Sequence, residues 1–63
     1  MADYKVEGSG TVYLLRPLNI SAAENLKEHT NEEAQFFGNA LAVEHRYIDD
    51  LVAQLREEGW EVE

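Results

Sequence analysis

Ala40-Leu41-Ala42-Val43-Glu44-His45-Arg46-Tyr47-Ile48-Asp49-Asp50-Leu51-Val52-Ala53-Gln54-Leu55 changes its hydrophobic period half-way along. Ala40 to Glu44 is a short apolar run that ends on a charge and follows the turn signal Gly38-Asn39, which suits a buried central strand. From Tyr47 the spacing becomes helical: Tyr47, Ile48, Leu51, Val52 and Leu55 cover an arc of about 140° on a wheel turning about 100° per residue. Gly59 follows the last turn in the C′ position, and Trp60 is placed to fold back on it as the hydrophobic contact of a Schellman motif. The tail Trp60-Glu61-Val62-Glu63 alternates apolar and acidic, the pattern of a half-exposed edge strand.

Upstream, Thr11-Val12-Tyr13-Leu14-Leu15 is β-branched, aromatic and aliphatic in a row, which predicts a strand covered on both faces or nearly so. Pro17 lacks an N–H and ends that strand near Leu18. Ser21-Ala22-Ala23-Glu24 has the form of a capping box, predicting a helix from Ala22. Ala22, Ala23, Leu26, Thr30, Ala34 and Phe37 share a helical face, so an unbroken helix to about Phe36 fits the spacing. A second box, Thr30-Asn31-Glu32-Glu33, favours a stop near Glu28 and a short second turn from Asn31. Residues 1–10 are either a flexible leader or a first strand over Tyr4 to Glu7 with Gly8-Ser9-Gly10 as a hairpin loop. The order strand, helix, strand, helix, strand predicts one domain over 1–63 of the α+β class. It is a small two-layer sandwich, with a three- or four-stranded sheet and two helices on one face. Its expected core is Val12, Leu14, Leu26, Leu41, Val43, Leu51, Val52 and Leu55.

The chain has 63 residues and 7.2 kDa, with thirteen acids against five bases and a formal charge of −8. Such acidity excludes direct nucleic-acid binding through a basic surface. There is no cysteine, hence no disulfide, thiolate metal site or thiol nucleophile. No apolar run is long enough for a membrane span, and the sequence carries no signal-peptide pattern, which places the expected protein in the cytoplasm. A domain near 60 residues buries only about 60% of its unfolded surface, so its stability is thin and either a monomer or a homodimer is expected.

Enzyme chemistry finds little footing. His29 and His45 are sixteen positions apart with no metal-ligand spacing around them, and read as a helix-end and a loop histidine. Glu44-His45-Arg46 gathers three ionisable groups at a strand-to-helix junction, where capping groups also gather. Neither Ser9 nor Ser21 sits in a nucleophile elbow, and Gly8-Ser9-Gly10 is followed by no phosphate-loop lysine. So short a chain has little material to enclose a pocket of several hundred Å3. No catalytic, cofactor or metal residue is assigned, and a non-enzymatic protein is expected.

The layout of the acids is the unusual feature. Residues 1–43 hold six acids and three bases; residues 44–63 hold seven acids and two bases in less than half the length. On the last helix Asp49, Asp50 and Glu57 project opposite the apolar arc, and Asp50 and Glu57 lie nearly in line about 10.5 Å apart along the axis. Glu58, Glu61 and Glu63 carry the charge past the helix end, against the dipole, with Arg56 offsetting part of the repulsion. A carboxylate row on a rigid helix imitates part of the field of DNA, about one negative charge per 1.7 Å. Asp49, Asp50, Glu57, Glu58 and Glu61 are therefore the candidate partner-binding residues, with Glu32 and Glu33 as a second patch.

In size, acidity, lack of cysteine and α+β pattern the chain resembles the small anti-CRISPR proteins of phages and mobile elements. Over 12–62 the stretch LLRPLN…AAENL…FFGNALAVEHRYIDDLV is also similar to short bacterial and phage-associated reading frames. The first resemblance implies an inhibitor that blocks target-DNA binding by occupying a basic nucleic-acid groove of a CRISPR effector subunit in the bacterial cytoplasm. The alternative is a small regulatory module, such as an antitoxin or assembly factor, that docks through an apolar surface.

Overall fold

In the computed structural model, residues 1–30 and 34–63 are described. Strand β1 (Tyr4–Ser9) turns through Gly10-Thr11 into β2 (Val12–Pro17), so the first ten residues form the first arm of a hairpin. Gly10 has φ +80° while Thr11 is not in the positive region, the arrangement of a II′ turn with glycine first, whose twist matches antiparallel strands. The loop is thus shorter and later than Gly8-Ser9-Gly10: Gly8 and Ser9 pair with Tyr13 and Val12 instead.

Helix α1 (Ile20–Glu28) begins two residues before the expected Ala22. Its cap is Asn19, in extended backbone, whose Oδ1 accepts the Ala22 N–H at 2.8 Å; the Ser21 capping box does not form. Asparagine caps as well as serine, and Asn19 is further fixed because its amide donates to Asp3 Oδ1 at 2.8 Å. The stop at Glu28 agrees with the sequence reading. The second capping box and the expected turn from Asn31 fall on 31–33, which lie outside the described residues.

Phe36 and Phe37 are not helical. They form β3 (Phe36–Phe37), which pairs across Gly38-Asn39 with β4 (Ala40–Glu44) in the register Phe36 with Leu41 and Phe37 with Ala40. Two aromatics beside a glycine-first turn have an apolar strand within reach, and that pairing outweighs the helical spacing of Ala34 and Phe37. Helix α2 (His45–Glu57) follows β4 directly, two residues earlier than its apolar arc suggests. The sheet is fully antiparallel in the order β1-β2-β4-β3. The architecture is the four-stranded form of the expected α+β sandwich.

Both helices lie on the face that carries Tyr4, Leu15, Leu41 and Val43. These residues, with Ala22, Leu26, Ile48 and Leu55, make the core. The other face carries Val12, Leu14 and Arg16 and has no covering layer among the described residues. Val12 is accordingly 45% exposed and Leu14 half-buried, so β2 is covered on one face only. Leu51 and Val52 are also half-buried, because they lie on the flanks of α2 while Ile48 and Leu55 point to the sheet. Leu26, Leu41, Val43 and Leu55 are buried as expected.

The C-terminus closes one sheet edge. Gly59, at φ +98°, ends α2 with the Trp60 N–H on the Leu55 carbonyl at 3.0 Å and the Gly59 N–H on the Arg56 carbonyl at 3.1 Å, the paired bonds of a Schellman motif. The tail then runs parallel to β1, with Val62 opposite Tyr4. The Tyr4 N–H donates to the Glu61 carbonyl at 3.0 Å and the Glu63 N–H to the Tyr4 carbonyl at 2.9 Å. Asp3 locks three segments at this corner: it accepts from Asn19 and from the Glu61 N–H, and its carbonyl accepts the Leu18 N–H.

Candidate functional site

Helix α2 stands on the sheet as a ridge with a groove on either side. Tyr47, Leu51, Gln54 and Glu58 form one flank, facing Asn25 and Leu26 of α1 across a groove of about 740 Å3 floored by Leu41 and Val43. His45, Asp49, Val52 and Arg56 form the other, over a groove of about 640 Å3 that ends on Tyr13 and Val62. These volumes reach the size of small-ligand sites, which the chain length alone argued against. The first is the furrow between the two helices on the sheet and the second the furrow between α2, the first hairpin and the tail; neither is an enclosed chamber.

Asp50 and Glu57 line neither groove and occupy the crest of the ridge, with Arg46. Asp49 lies one side of the crest and Glu58 the other. All four carboxylates are exposed, and among the described residues none of them makes an ion pair. The neighbouring cations are engaged elsewhere. Arg46 holds Glu44 Oε2 at 2.9 Å through both Nε and Nη2 and lies 5.4 Å from the centre of the Tyr47 ring. Arg56 donates to the Val62 carbonyl at 3.1 Å and so ties down the tail.

Glu61 stands apart from this row. Its backbone belongs to the edge pairing with Asp3 and Tyr4, and its carboxylate is 3.4 Å from the Met1 amino group. Glu32 and Glu33 lie outside the described residues. At the Glu44-His45-Arg46 junction Glu44 is the N-cap of α2 but makes no side-chain capping bond; the His45 N–H donates to the Thr11 carbonyl at 2.9 Å, linking α2 to the first hairpin turn.

No known protein family, curated protein or solved structure matches the chain. Function must be read from chemistry at the surface. Among the described residues no group of three His, Asp or Glu side chains is placed to hold a metal ion. No helix is long and apolar enough to cross a membrane.

Two titrating groups are displaced, and both belong to the closed corner rather than to the ridge. The Glu61 N–H, and then the Asn19 amide, hold the Asp3 carboxyl below its usual range. Burial pushes the Tyr4 phenol up, against the bond from Asn25. Exposed aromatics are the feature that helical spacing concealed: Phe36, Phe37 and Tyr47 are 38%, 60% and 55% exposed. The sequence signal of the first two was the Phe-Phe pair beside a Gly-Asn turn in a run without charge.

Proposed function

We propose that this protein is a non-enzymatic inhibitor that lays the acidic crest of α2 on a basic nucleic-acid-binding groove of a host protein, with a CRISPR effector subunit in the bacterial cytoplasm as the target. The observation that supports this reading is that, among the described residues, Asp49, Asp50 and Glu57 on one exposed helix and Glu58 at its C-cap make no ion pair. Glu57 and Glu58 sit at the helix end where the dipole disfavours anions, so they cost local stability that Arg56 in the same turn offsets only in part. Rows of like charge held at such a cost suit a complementary surface outside it. Glu61 extends the charge at the edge of the same end.

The test is capture of the target from the natural host, followed by titration of the purified target with and without its nucleic acid. Competition with nucleic acid and a steep loss of affinity with added salt are expected. Asp50→Lys combined with Glu57→Lys should abolish binding, because like charges facing each other at an interface cost several kcal/mol. Both side chains lie away from the core, so the melting temperature should move by a few degrees at most. Undiminished binding by the double variant overturns the reading.

The exposed Phe37 and Tyr47 support a second reading, a regulatory module that docks through apolar surface, since aromatic side chains carry much of the energy of protein interfaces. Affinity that hardly changes with salt would favour it.

A further inference from the structure

The two edges of the sheet are treated differently. The first half of the β1 edge, Tyr4 to Val6, is covered by the chain's own tail, while β3 forms the other edge of the sheet. Natural edge strands are commonly kept from pairing by lysine, proline or a bulge, or by being very short. β3 is short, at two residues, but carries no lysine, proline or bulge. It lies in Ala34-Gln35-Phe36-Phe37-Gly38-Asn39-Ala40-Leu41-Ala42-Val43, ten residues without a charge in a chain that is 29% charged.

The hydrogen-bond alternation of antiparallel strands decides which backbone groups are available. Phe37 and Ala40 close a two-residue turn, and the Ala42 N–H donates to the Gln35 carbonyl at 2.9 Å. Gln35 and Phe37 therefore direct their backbone groups at β4. Phe36, between them, directs its N–H and C=O away from the sheet. The register also sets the side chains: Phe36 shares the helix face with Leu41, and Phe37 the opposite face with Ala40. A strand added here would find a free donor and acceptor flanked by an aromatic ring on each face.

We infer that this edge pairs with the same edge of a second copy, β3 against β3 about a two-fold axis at Phe36. The charge distribution selects that occupant. A basic partner is drawn to the ridge of α2, not to a neutral hairpin. A second copy, itself at −8, is repelled from every acidic surface and can approach closely only where charge is absent. An isologous contact needs one self-complementary patch, and antiparallel pairing about Phe36 supplies it, with the N–H and C=O of each Phe36 exchanged. The axis stands perpendicular to the sheet. The result is a continuous eight-stranded sheet with all four helices on one face. This arrangement does not depend on what the acidic ridge binds.

Sedimentation equilibrium from micromolar to millimolar protein, at low and high salt, tests the pairing. A dimer of twice the 7.2 kDa chain mass is expected, and it should tighten as salt screens the mutual repulsion. That sign is opposite to the salt effect expected for binding a basic target, so the two can fail separately. Phe36→Glu sets two carboxylates opposite each other and should raise the dimer dissociation constant by about a hundredfold or more. Amide exchange in the unaltered protein gives an independent readout, because the Phe36 N–H is protected only in the dimer and its protection should rise with concentration. A monomer throughout the range overturns the inference. So does a dimer that persists in a folded Phe36→Glu variant, or one in which the Phe36 amide exchanges freely.

Discussion

The closed β1 edge and the open β3 edge are both lined by aromatic residues, and those residues do opposite things. At the closed edge Tyr4 is completely buried, its hydroxyl donates to the Ala22 carbonyl at 2.8 Å and accepts from the Asn25 amide at 3.0 Å, and its ring meets Trp60 edge-on at 5.6 Å. One side chain thus joins β1, α1 and the tail. At the open edge Phe36 and Phe37 pair with β4 and remain exposed. The bonds that join distant segments of the described chain are concentrated at the closed edge.

The largest expected effect tests whether the closed corner carries the stability. Tyr4→Ala removes a fully buried aromatic and leaves the Ala22 carbonyl and the Asn25 amide without their partner, so it should cost about 3–5 kcal/mol. Against a total of about 5–15 kcal/mol that is a severe loss, and thermal melts should show it directly. Tyr4→Phe, which keeps the ring, should cost about 1–2 kcal/mol. If Tyr4→Ala melts like the unaltered protein, the two edges do not differ as described.

Trp60→Ala opens the same corner from the tail side and should come next, at about 2 kcal/mol, since Trp60 is only half-buried. Protection of the Tyr4 amide, bonded to the Glu61 carbonyl, should fall with it as the tail detaches.

The corner should also set the pH limits of the fold. Asp3 titrates below its unfolded value near pH 3.9, so its contribution is present above that pH and is lost as pH falls through the lower folded value. Tyr4 titrates above its unfolded value near pH 10, so its contribution is complete below that pH and is lost as pH rises through the higher folded value. Asp3→Asn should flatten the acid limb of the melting temperature and Tyr4→Phe the alkaline limb. An acid limb unchanged in Asp3→Asn would assign it to other carboxylates.

Legibility in the sequence followed the range of the interactions. The Schellman end at Gly59 and the stop of α1 rest on neighbours within a few residues and could be read directly; the alternation of the tail marked it as extended, but its partners Asp3 and Tyr4 lie at the far end of the chain. The burial of Tyr4 could not be read, because its partners Ala22, Asn25 and Trp60 are eighteen to fifty-six positions away. The cap at Asn19 was hidden by Ser21, an equally good local candidate; the bond from Asn19 to Asp3, sixteen residues back, favours the earlier start. Val12 misled because an apolar run does not say whether a second layer exists. The row of Asp49, Asp50, Glu57 and Glu58 was legible because one helix sets it, whereas the isolation of those carboxylates depends on Arg46 turning to Glu44 and Arg56 to Val62.

The smallest stability effect completes the contrast. Phe37→Ala also shortens an aromatic side chain at a sheet edge, but Phe37 is 60% exposed and its partner across the strand is Ala40. A cross-strand pair of this kind is worth about 0.2–1 kcal/mol. The variant should therefore melt close to the unaltered protein, with less than half the loss seen for Trp60→Ala. Measured side by side, the two substitutions compare an aromatic that closes an edge with one that is left on it. A loss at Phe37 equal to that at Trp60 would mean that the β3–β4 hairpin stabilises the monomer as strongly as the closed corner does. Phe37 would then be a structural residue, and its exposure would no longer support docking through apolar surface.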